Sequence, residues 1–478
     1  MNDEKKELSI YIHIPFCKRK CKYCDFLSFS GCGIGEQKEY IDALCNEIGA
    51  YDLIADDYKV GTIFFGGGTP SFIPAEYVGR ILEKVREIFT VDKNAEITIE
   101  GNPDSLTRDK IEKYKSFGIN RLSIGLQSTN DEMLKCLGRV HNYDQFVAAY
   151  SRAREAGFDN INVDIMSGLP GESIESYVRT LGKVVDMQPE HISAYSLIVE
   201  DGTPLAENDE LLDKLPSEEL DRKQYARTKL LLGQSDYERY EISNYAKIGY
   251  ECSHNLRYWT GGEYLGVGLG AASYLRLNDT TEFPMSAYDE QYDVETEMYD
   301  LYSNSLLDYE MEDDVDDSQK DVLKTDIDDS KENALETDAG VSHMNASTAV
   351  GNDDESGIYV RFKGVDNIDE YIGRFSRFGT GYTDILSAKE LIGNCYTEIQ
   401  VLKSKDRMEE FMFLGLRCIA GISRSQFFEK FGKDIEQVYG NVIAKYTKSG
   451  HLICDGDRVM LSDKGLDVSN TIMAEFLL

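Results

Sequence analysis

The chain has 478 residues, a net charge of −35 and a sequence pI near 4.6. This length is enough for two or three domains, and so acidic a chain argues against nucleic acid or an anionic membrane as the main partner. The start of the chain, residues 1–7, is charged and lacks the apolar core of a signal peptide, and no run is apolar enough to span a bilayer. We therefore expect a cytoplasmic protein.

Strands and helices alternate through the first half of the chain. Short β-rich runs alternate with helical patterns, and both end at typical glycine or proline turns. The predicted strands are 11–16, 61–65, 96–100, 121–124, 160–165 and 191–196. The predicted helices are 37–51, 75–89, 109–117, 142–156, 173–186 and 217–233.

This alternation predicts a parallel sheet with helices outside it. Polar residues and glycines follow the strands at their C-terminal ends, which is the edge where (β/α) barrels build active sites. Six units are too few for an eightfold barrel, so we predict an α/β fold with a partial (β/α)6 TIM-like barrel. The alternative is a doubly wound sheet, which the absence of G-x-G-x-x-G after the first strand weakens.

The second half of the chain changes in composition. Residues 285–355 hold 23 acidic and 3 basic residues, so we predict a disordered insertion, with an acidic docking tail as the alternative. Helices at 406–420, 423–431 and 434–448 precede a hairpin at 451–461, which is typical of a winged helix. Residues 405–478 carry 10 basic against 11 acidic residues, so the basic footprint of a DNA-binding domain is missing.

These patterns divide the chain into five predicted parts. They are a barrel at 1–235, a glycine-rich segment packing on the barrel at 236–280, an acidic disordered insertion at 281–357, a connecting segment at 358–404 and a winged-helix-like domain at 405–478.

Three cysteines follow the first predicted strand with the spacing C-x3-C-x2-C. Thiolates of Cys17, Cys21 and Cys24 on one loop can hold three corners of a 4Fe-4S cluster and leave the fourth iron open to another ligand. Such an iron is suited to S-adenosylmethionine and radical chemistry. The alternative is a zinc site or simple packing, with Cys32 as a fourth ligand, although structural zinc usually takes two cysteine pairs.

The stretch from Tyr11 to Phe26 resembles the radical S-adenosylmethionine superfamily. Its sequence, YIHIPFC followed by CKYCDF, is similar to the coproporphyrinogen oxidase-like branch, and most similar to the HemW-type heme chaperones. The resemblance implies a barrel of the radical SAM type, a 4Fe-4S cluster and S-adenosylmethionine. It also implies ten cofactor-site positions, which are Tyr11, Tyr23, Gly67, Gly68, Thr69, Glu100, Gln127, Arg139, Asp164 and His254.

The resemblance also suggests individual roles around S-adenosylmethionine. Backbone groups of Gly67, Gly68 and Thr69 would approach the ligand, and Glu100 would accept from its amino group. The planar guanidinium of Arg139 would pair with its carboxylate. The ribose hydroxyls would go to Gln127 and Asp164, while Tyr11 and Tyr23 would pack beside the cluster or the adenine. Each residue alone has an ordinary structural explanation, and their shared position at one barrel edge favours the functional one.

His254 begins a second motif, His254-Asn255-x-x-Tyr258-Trp259. It resembles the HNxxYW motif that is linked to heme binding in the HemW-type proteins, and heme iron commonly takes an axial histidine. The alternative is a histidine and a tryptophan that fill the barrel mouth.

Two functions remain open on this resemblance. One is a heme chaperone whose partners are heme, an unknown heme-acceptor protein and, transiently, a membrane or a respiratory protein. The other is an oxygen-independent coproporphyrinogen III oxidase, a radical enzyme. The oxidases carry a fourth cysteine where this chain has Phe26, and a long extension before the first strand, whereas Cys17 lies close to the start of this chain. Both features favour the chaperone. The missing basic footprint weakens a third possibility, a winged-helix regulator.

Overall fold

The computed structural model describes residues 5–278, 357–380 and 387–478. Apart from its last residue, the predicted acidic insertion at 281–357 lies outside the described residues. All the predicted strands and helices fall within the described residues.

The strands are numbered in chain order. They are β1 (Lys6–Ile14), β2 (Phe16–Cys17), β3 (Phe29–Ser30), β4 (Tyr58–Gly67), β5 (Thr90–Gly101), β6 (Arg121–Gln127), β7 (Ile161–Ser167), β8 (His191–Ser196), β9 (Glu238–Arg239), β10 (Asn244–Ala246), β11 (Tyr264–Val267), β12 (Ala272–Leu277), β13 (Ile358–Lys363), β14 (Thr397–Leu402), β15 (Ile422–Ser423), β16 (Leu452–Asp455) and β17 (Arg458–Leu461).

The helices are numbered in the same way. They are α1 (Ile34–Ala50), α2 (Ala75–Ile88), α3 (Arg108–Ser116), α4 (Asp131–Cys136), α5 (Tyr143–Glu155), α6 (Ile174–Asp186), α7 (Asp209–Leu212), α8 (Glu218–Gly233), α9 (Ser253–Trp259), α10 (Ile368–Ser376), α11 (Ala388–Cys395), α12 (Ser404–Gly415), α13 (Arg424–Phe431), α14 (Ile435–Lys448), α15 (Asp463–Leu466) and α16 (Ser469–Ala474).

The central sheet contains the six predicted parallel strands in the order β1-β4-β5-β6-β7-β8. Each pairs in parallel with the next, and β11 joins β1 as a further parallel neighbour. Antiparallel strands β12, β13 and β14 extend the sheet beyond β11, and β10 and β9 extend it beyond β8. The predicted α/β fold with a partial (β/α)6 barrel is confirmed.

The two faces of the sheet differ in polarity because successive side chains point to opposite sides. On β1, Leu8, Ile10, Ile12 and Ile14 are at most 1% exposed and belong to the large apolar core that includes α1 and α2. The alternate residues of the same strand face inward and are polar or aromatic. The barrel interior is therefore a polar column rather than an apolar core.

The ends of the undescribed segment at 279–356 are held together by the sheet. Leu277 at the end of β12 pairs with Ile358 at the start of β13 in antiparallel register. The two described residues next to this segment, Leu277 and Ile358, are therefore neighbours in the sheet. The sequence pattern assigned 236–280 to a packing segment and 358–404 to a connection, whereas the structure uses both to extend the central sheet at its edges.

A buried carboxyl group joins these added strands to the barrel. Glu47 on α1 is fully buried and accepts hydrogen bonds from Gly268 N at 2.8 Å and from the hydroxyls of Tyr371 and Tyr396. Burial raises the pKa of Glu47 to about 7. We refer to Glu47, Tyr371 and Tyr396 as the Glu47 cluster.

The C-terminal module has three helices and a small sheet, as a winged helix does. Helices α12, α13 and α14 precede the hairpin β16–β17, and β15 pairs with β17. The module contacts the 236–260 region. Ile419 N donates to Tyr240 O at 3.0 Å, and the backbones of Glu241 and Cys418 form an isolated antiparallel β-bridge.

Candidate functional site

The cysteine loop leaves β1 at the C-terminal edge of the parallel sheet. Strands β2 and β3 pair in parallel and close the base of the loop, where Phe29 N donates to Pro15 O at 2.7 Å. Farther along the loop, Lys22 N donates to Leu137 O at 3.0 Å, and Lys22 O accepts from Leu205 N at 2.9 Å. The loop is thus fixed at its base and along its length.

The three predicted ligand thiols lie together on this loop. Cys17 is buried at the base, 3.4 Å from Thr69 Oγ1, while Cys21 and Cys24 are partly exposed. Burial raises the pKa of the Cys17 thiol, and that of Cys24 to about 11, and the neighbouring thiols add to both shifts. Within residues 5–278, 357–380 and 387–478, no three His, Cys, Asp or Glu residues are arranged around a single metal ion.

This donor set fits an iron–sulfur cluster. Three free thiols without a competing oxygen ligand match the preference of iron–sulfur sites for soft sulfur donors. Binding of the thiols to iron would displace their protons, as metal binding does at other thiolate sites.

The glycine turn after β4 supports the loop rather than presenting free amides. Gly67 has a φ of +105°, and a Cβ there would lie 2.5 Å from the His13 ring. Gly68 N donates to Ile14 O and Thr69 N donates to Phe16 O, both at 2.9 Å. The N–H groups of Gly68 and Thr69 thus hold the base of the cysteine loop, and the prediction that backbone groups of this turn approach the ligand is left to their carbonyls and to Gly67.

Arg139 links the cysteine loop to two neighbouring strands. Its guanidinium donates to Cys21 Sγ at 3.6 Å, to Asn102 Oδ1 at 2.6 Å and to Gly125 O at 2.7 Å. Asn102 in turn donates to Thr69 Oγ1 at 3.0 Å. Arg139 Nε is buried and has no partner among the described residues. The sequence analysis missed Asn102, although its position directly after β5 was a signal.

Tyr23 completes the outer side of this group. Its ring packs against the small apolar cluster formed by Leu137, Met166 and Leu169. Burial raises the pKa of Tyr23, and the neighbouring Arg139 guanidinium opposes the shift.

Two carboxyl groups lie at the same edge. Burial raises the pKa of Glu100 to about 8, and the nearby Asp164 contributes to that shift. Asp164 accepts from Asn162 Nδ2 at 2.7 Å and from Ser123 Oγ at 3.2 Å, and burial raises its pKa as well. Both shifts favour the neutral carboxyl, and a cationic ligand group at this edge would favour the ionised form.

Gln127 ends β6 in a strained conformation. Its φ is +72°, a left-handed value that costs a non-glycine residue about 1 kcal/mol. The β6–β7 register shifts between Gly125 and Gln127, so the side chain leaves the regular strand pattern. Strain of this kind is frequent at binding edges.

His254 lies elsewhere, inside the barrel. It is 1% exposed, and its ring nitrogens bond to Thr62 Oγ1 at 2.7 Å and to Tyr258 OH at 2.9 Å. Its ring stacks on Phe64 with a centroid distance of 5.1 Å. Thr62 comes five residues before Gly67 on β4, which is about 16 Å toward the N-terminal end of the sheet.

The structure thus places His254 in a core position, which was the alternative to an axial heme ligand, and the heme-ligand role stays a prediction. Both ring nitrogens are already engaged, and the side chain is inaccessible to a macrocycle. Tyr11, at a centroid distance of 6.5 Å from His254, lies between the two regions and bonds to His13 Nδ1 at 3.1 Å. Tyr11 is thus an inner-face residue of the barrel.

Trp259 connects the same motif to the C-terminal module. The Arg417 guanidinium lies 4.4 Å from its ring centroid and 3.9 Å from the buried Glu241 carboxylate. The motif of residues 254–259 therefore fills the barrel base with one end and contacts the module with the other.

Across the described ranges, no helix has the length and apolarity that crossing a membrane requires.

Comparisons with known proteins agree with this architecture. The Radical SAM superfamily model matches residues 11–184, and the HemN C-terminal domain model matches residues 402–468. The fold is similar to that of coproporphyrinogen III oxidase from Escherichia coli, with a TM-score of 0.70 at 20% identity over 99% of this chain and 90% of that chain.

Curated relatives narrow the family. Heme chaperone HemW of Escherichia coli (strain K12) is 38% identical over 272 residues, which are 57% of this chain and 71% of that protein. Heme chaperone HemW of Lactococcus lactis is 28% identical over 475 residues, 99% of this chain and 98% of that protein. Membership of the radical SAM superfamily implies a 4Fe-4S cluster and S-adenosylmethionine. The chain therefore belongs to the HemW family of heme chaperones within that superfamily.

Proposed function

We propose that this protein binds heme and transfers it to an acceptor protein, and that Cys17, Cys21 and Cys24 hold its 4Fe-4S cluster. The observation that carries the proposal is the composition of the loop. Three thiols gather at the barrel edge, and Phe26, 66% exposed, occupies the position where the oxidases have a fourth cysteine. Free cysteines and an oxygen-sensitive cluster suit a reducing cytoplasm, where we place this transfer.

When bound, the cluster would supply an open iron suited to S-adenosylmethionine and radical chemistry. Glu100 is the residue best suited to the amino group, because its carboxyl is buried beside Asp164 and a cation there would favour its ionised form. Arg139 positions Cys21, and its unpartnered Nε is a donor for the ligand carboxylate.

The remaining residues shape the edge. Asp164 retains lone pairs for a ribose hydroxyl besides its two hydrogen bonds, and Gln127 offers an amide from its strained position. Gly67, Gly68 and Thr69 hold the loop base, and Tyr23 packs beside Arg139. Together these residues bind and orient a ligand on the open side of the loop.

The alternative is an oxygen-independent coproporphyrinogen III oxidase. The specific observation in its favour is the whole-chain similarity in fold to that enzyme from Escherichia coli. Such similarity concerns the fold, and many functions share one fold.

An anaerobic assay separates the two. The protein with reconstituted cluster is mixed with S-adenosylmethionine, a reductant and coproporphyrinogen III, and protoporphyrinogen is sought by chromatography. We expect no product above that of Cys21→Ser, and saturable binding in a separate heme titration. Product above the control would make the protein an oxidase, and no saturable heme binding would refute the chaperone proposal.

A further inference from the structure

The outer side of the cysteine loop is basic in an otherwise acidic protein. Four of the five residues at 18–22 are cations, and no other five-residue window holds as many, while the chain carries −35 overall. Lys18 pairs with Asp104 at 3.1 Å. Arg19 and Lys20 are exposed, and neither forms an ion pair with another described residue. Two cations thus remain available beside the cluster ligands.

An exposed aromatic ring follows these cations on the same loop. Phe26 is 66% exposed, although burying a ring of this size would be worth about 2 kcal/mol. Its backbone is nevertheless fixed, since Phe26 O accepts from Ser28 Oγ at 3.1 Å and Leu27 O bonds to His13 Nε2 at 2.8 Å. The ring is therefore held outward by a rigid segment.

Cys24 brings the two features together. The Lys20 ammonium acts electrostatically on the Cys24 thiol, and the backbone N–H of Phe26 donates to the same sulfur. Lys20 and the backbone of Phe26 therefore both lie near this side chain. We refer to Arg19, Lys20 and Phe26 as the loop rim.

We propose that heme docks on the loop rim, with its propionates toward Arg19 and Lys20 and one face of the macrocycle against Phe26. This inference rests on the proposed function, since it names the seat of the heme that the protein carries. The chemistry is complementary, because heme combines two carboxylates with a flat apolar body. The net charge of −35 repels such an anion at long range, so a local cationic run favours its approach.

The location also agrees with the rest of the site. His254, the other residue considered for heme, is enclosed in the barrel with both nitrogens engaged. A seat on the loop rim needs no rearrangement of that core.

Heme titrations followed by the Soret band test the proposal on anaerobically prepared protein with its cluster intact. The variants are the double change Arg19→Glu with Lys20→Glu, and Phe26→Ala. The controls are Lys93→Glu, an exposed cation on β5, and Ile248→Ala, a side chain that is 76% exposed. We expect each rim variant to weaken heme binding about tenfold or more and each control to change it less than about twofold.

A second measurement changes the ligand. The dimethyl ester of heme lacks both propionate charges, so the wild type should bind it about tenfold more weakly than heme, while the double variant should not discriminate. Equal binding of heme and its ester by the wild type would overturn the proposal. The proposal would also be overturned if the double variant slowed reduction of the cluster by a protein electron donor but bound heme as tightly as the wild type. In that case the loop rim would serve a redox partner. A wild type that binds no heme would instead refute the proposed function.

Discussion

Replacing His254 by glutamine tests whether this side chain belongs to the barrel core. The imidazole bonds to Thr62 and Tyr258 and stacks on Phe64, and it is 1% exposed. Glutamine can keep part of the hydrogen bonding but loses the ring contact. We expect a loss of about 1 to 3 kcal/mol in the free energy of unfolding at pH 7.

The pH dependence of that loss is the sharper test. Burial lowers the pKa of His254 to about 3, and the neighbouring Arg121 adds to the shift. Between that value and the unfolded pKa of about 6.5, the unfolded chain binds a proton that the folded chain does not, so the wild type loses stability as the pH falls. From pH 7 to pH 5 this single histidine accounts for about 2 kcal/mol. Glutamine does not titrate, so the deficit of His254→Gln should shrink by that amount or reverse.

Urea unfolding at pH 7 and pH 5 measures the effect, with His451→Gln as the control. His451 is only partly buried, so its replacement should change the pH dependence much less. Heme affinity of His254→Gln at pH 7 should equal that of the wild type. An unchanged pH profile together with lost heme binding would refute the core assignment and restore His254 as a ligand.

Three further substitutions test other parts of the structure. Burial raises the pKa of Glu47 from 4.5 to about 7, so between these values the folded state binds a proton that the unfolded state loses, and wild-type stability falls as the pH rises. In urea unfolding, the stability of Glu47→Gln relative to the wild type should therefore increase by about 2 to 3 kcal/mol from pH 5 to pH 8. A difference in unfolding free energy that stays constant over this range would contradict the assignment. Gly67→Ala should lower the free energy of unfolding by about 2 kcal/mol or more and impair cluster retention, measured by iron content. The control is Gly171→Ala, at a φ of +74° with open space around it, which should lower the free energy of unfolding by about 1 kcal/mol and keep the cluster. Arg417→Ala should change the fluorescence emission of Trp259, the single tryptophan, and lower the free energy of unfolding by about 1 kcal/mol. Unchanged emission would show that the two side chains do not interact in solution.

Much of the fold could be predicted from the sequence because its signals are local. Each parallel strand is a short apolar run followed by a turn and a helical period, so the strands and their order follow from the chain itself. The C-terminal edge could be predicted as well, since Glu100 and Gln127 come at the ends of the consecutive strands β5 and β6. The same reasoning could not pair β12 with β13, because 80 residues separate Leu277 from Ile358 and nothing local links them.

The details of the site depended on contacts that no spacing encodes. The turn at Gly67 and Gly68 resembles a ligand cradle in sequence, yet the amides of Gly68 and Thr69 donate to the carbonyls of Ile14 and Phe16, just before the cysteine loop. Asn102 escaped notice because a single amide after a strand is common, and only the structure places it between Arg139 and Thr69. The role of a residue such as Asn102 depends on the side chains that it contacts from other strands and loops, and spacing along the chain does not predict those contacts.

The two motifs of the chain serve opposite ends of the barrel. The cysteine loop follows the C-terminal ends of the strands, whereas His254 bonds to Thr62 near the N-terminal half of β4, and Ser253 N bonds to Glu96 near the middle of β5. Helix α9 thus closes the barrel base, and Trp259 at its end meets Arg417 of the C-terminal module. The side chains of this motif support the strands whose far ends carry the cysteine loop. Substitutions within it should therefore change stability before they change any property of the cysteine loop.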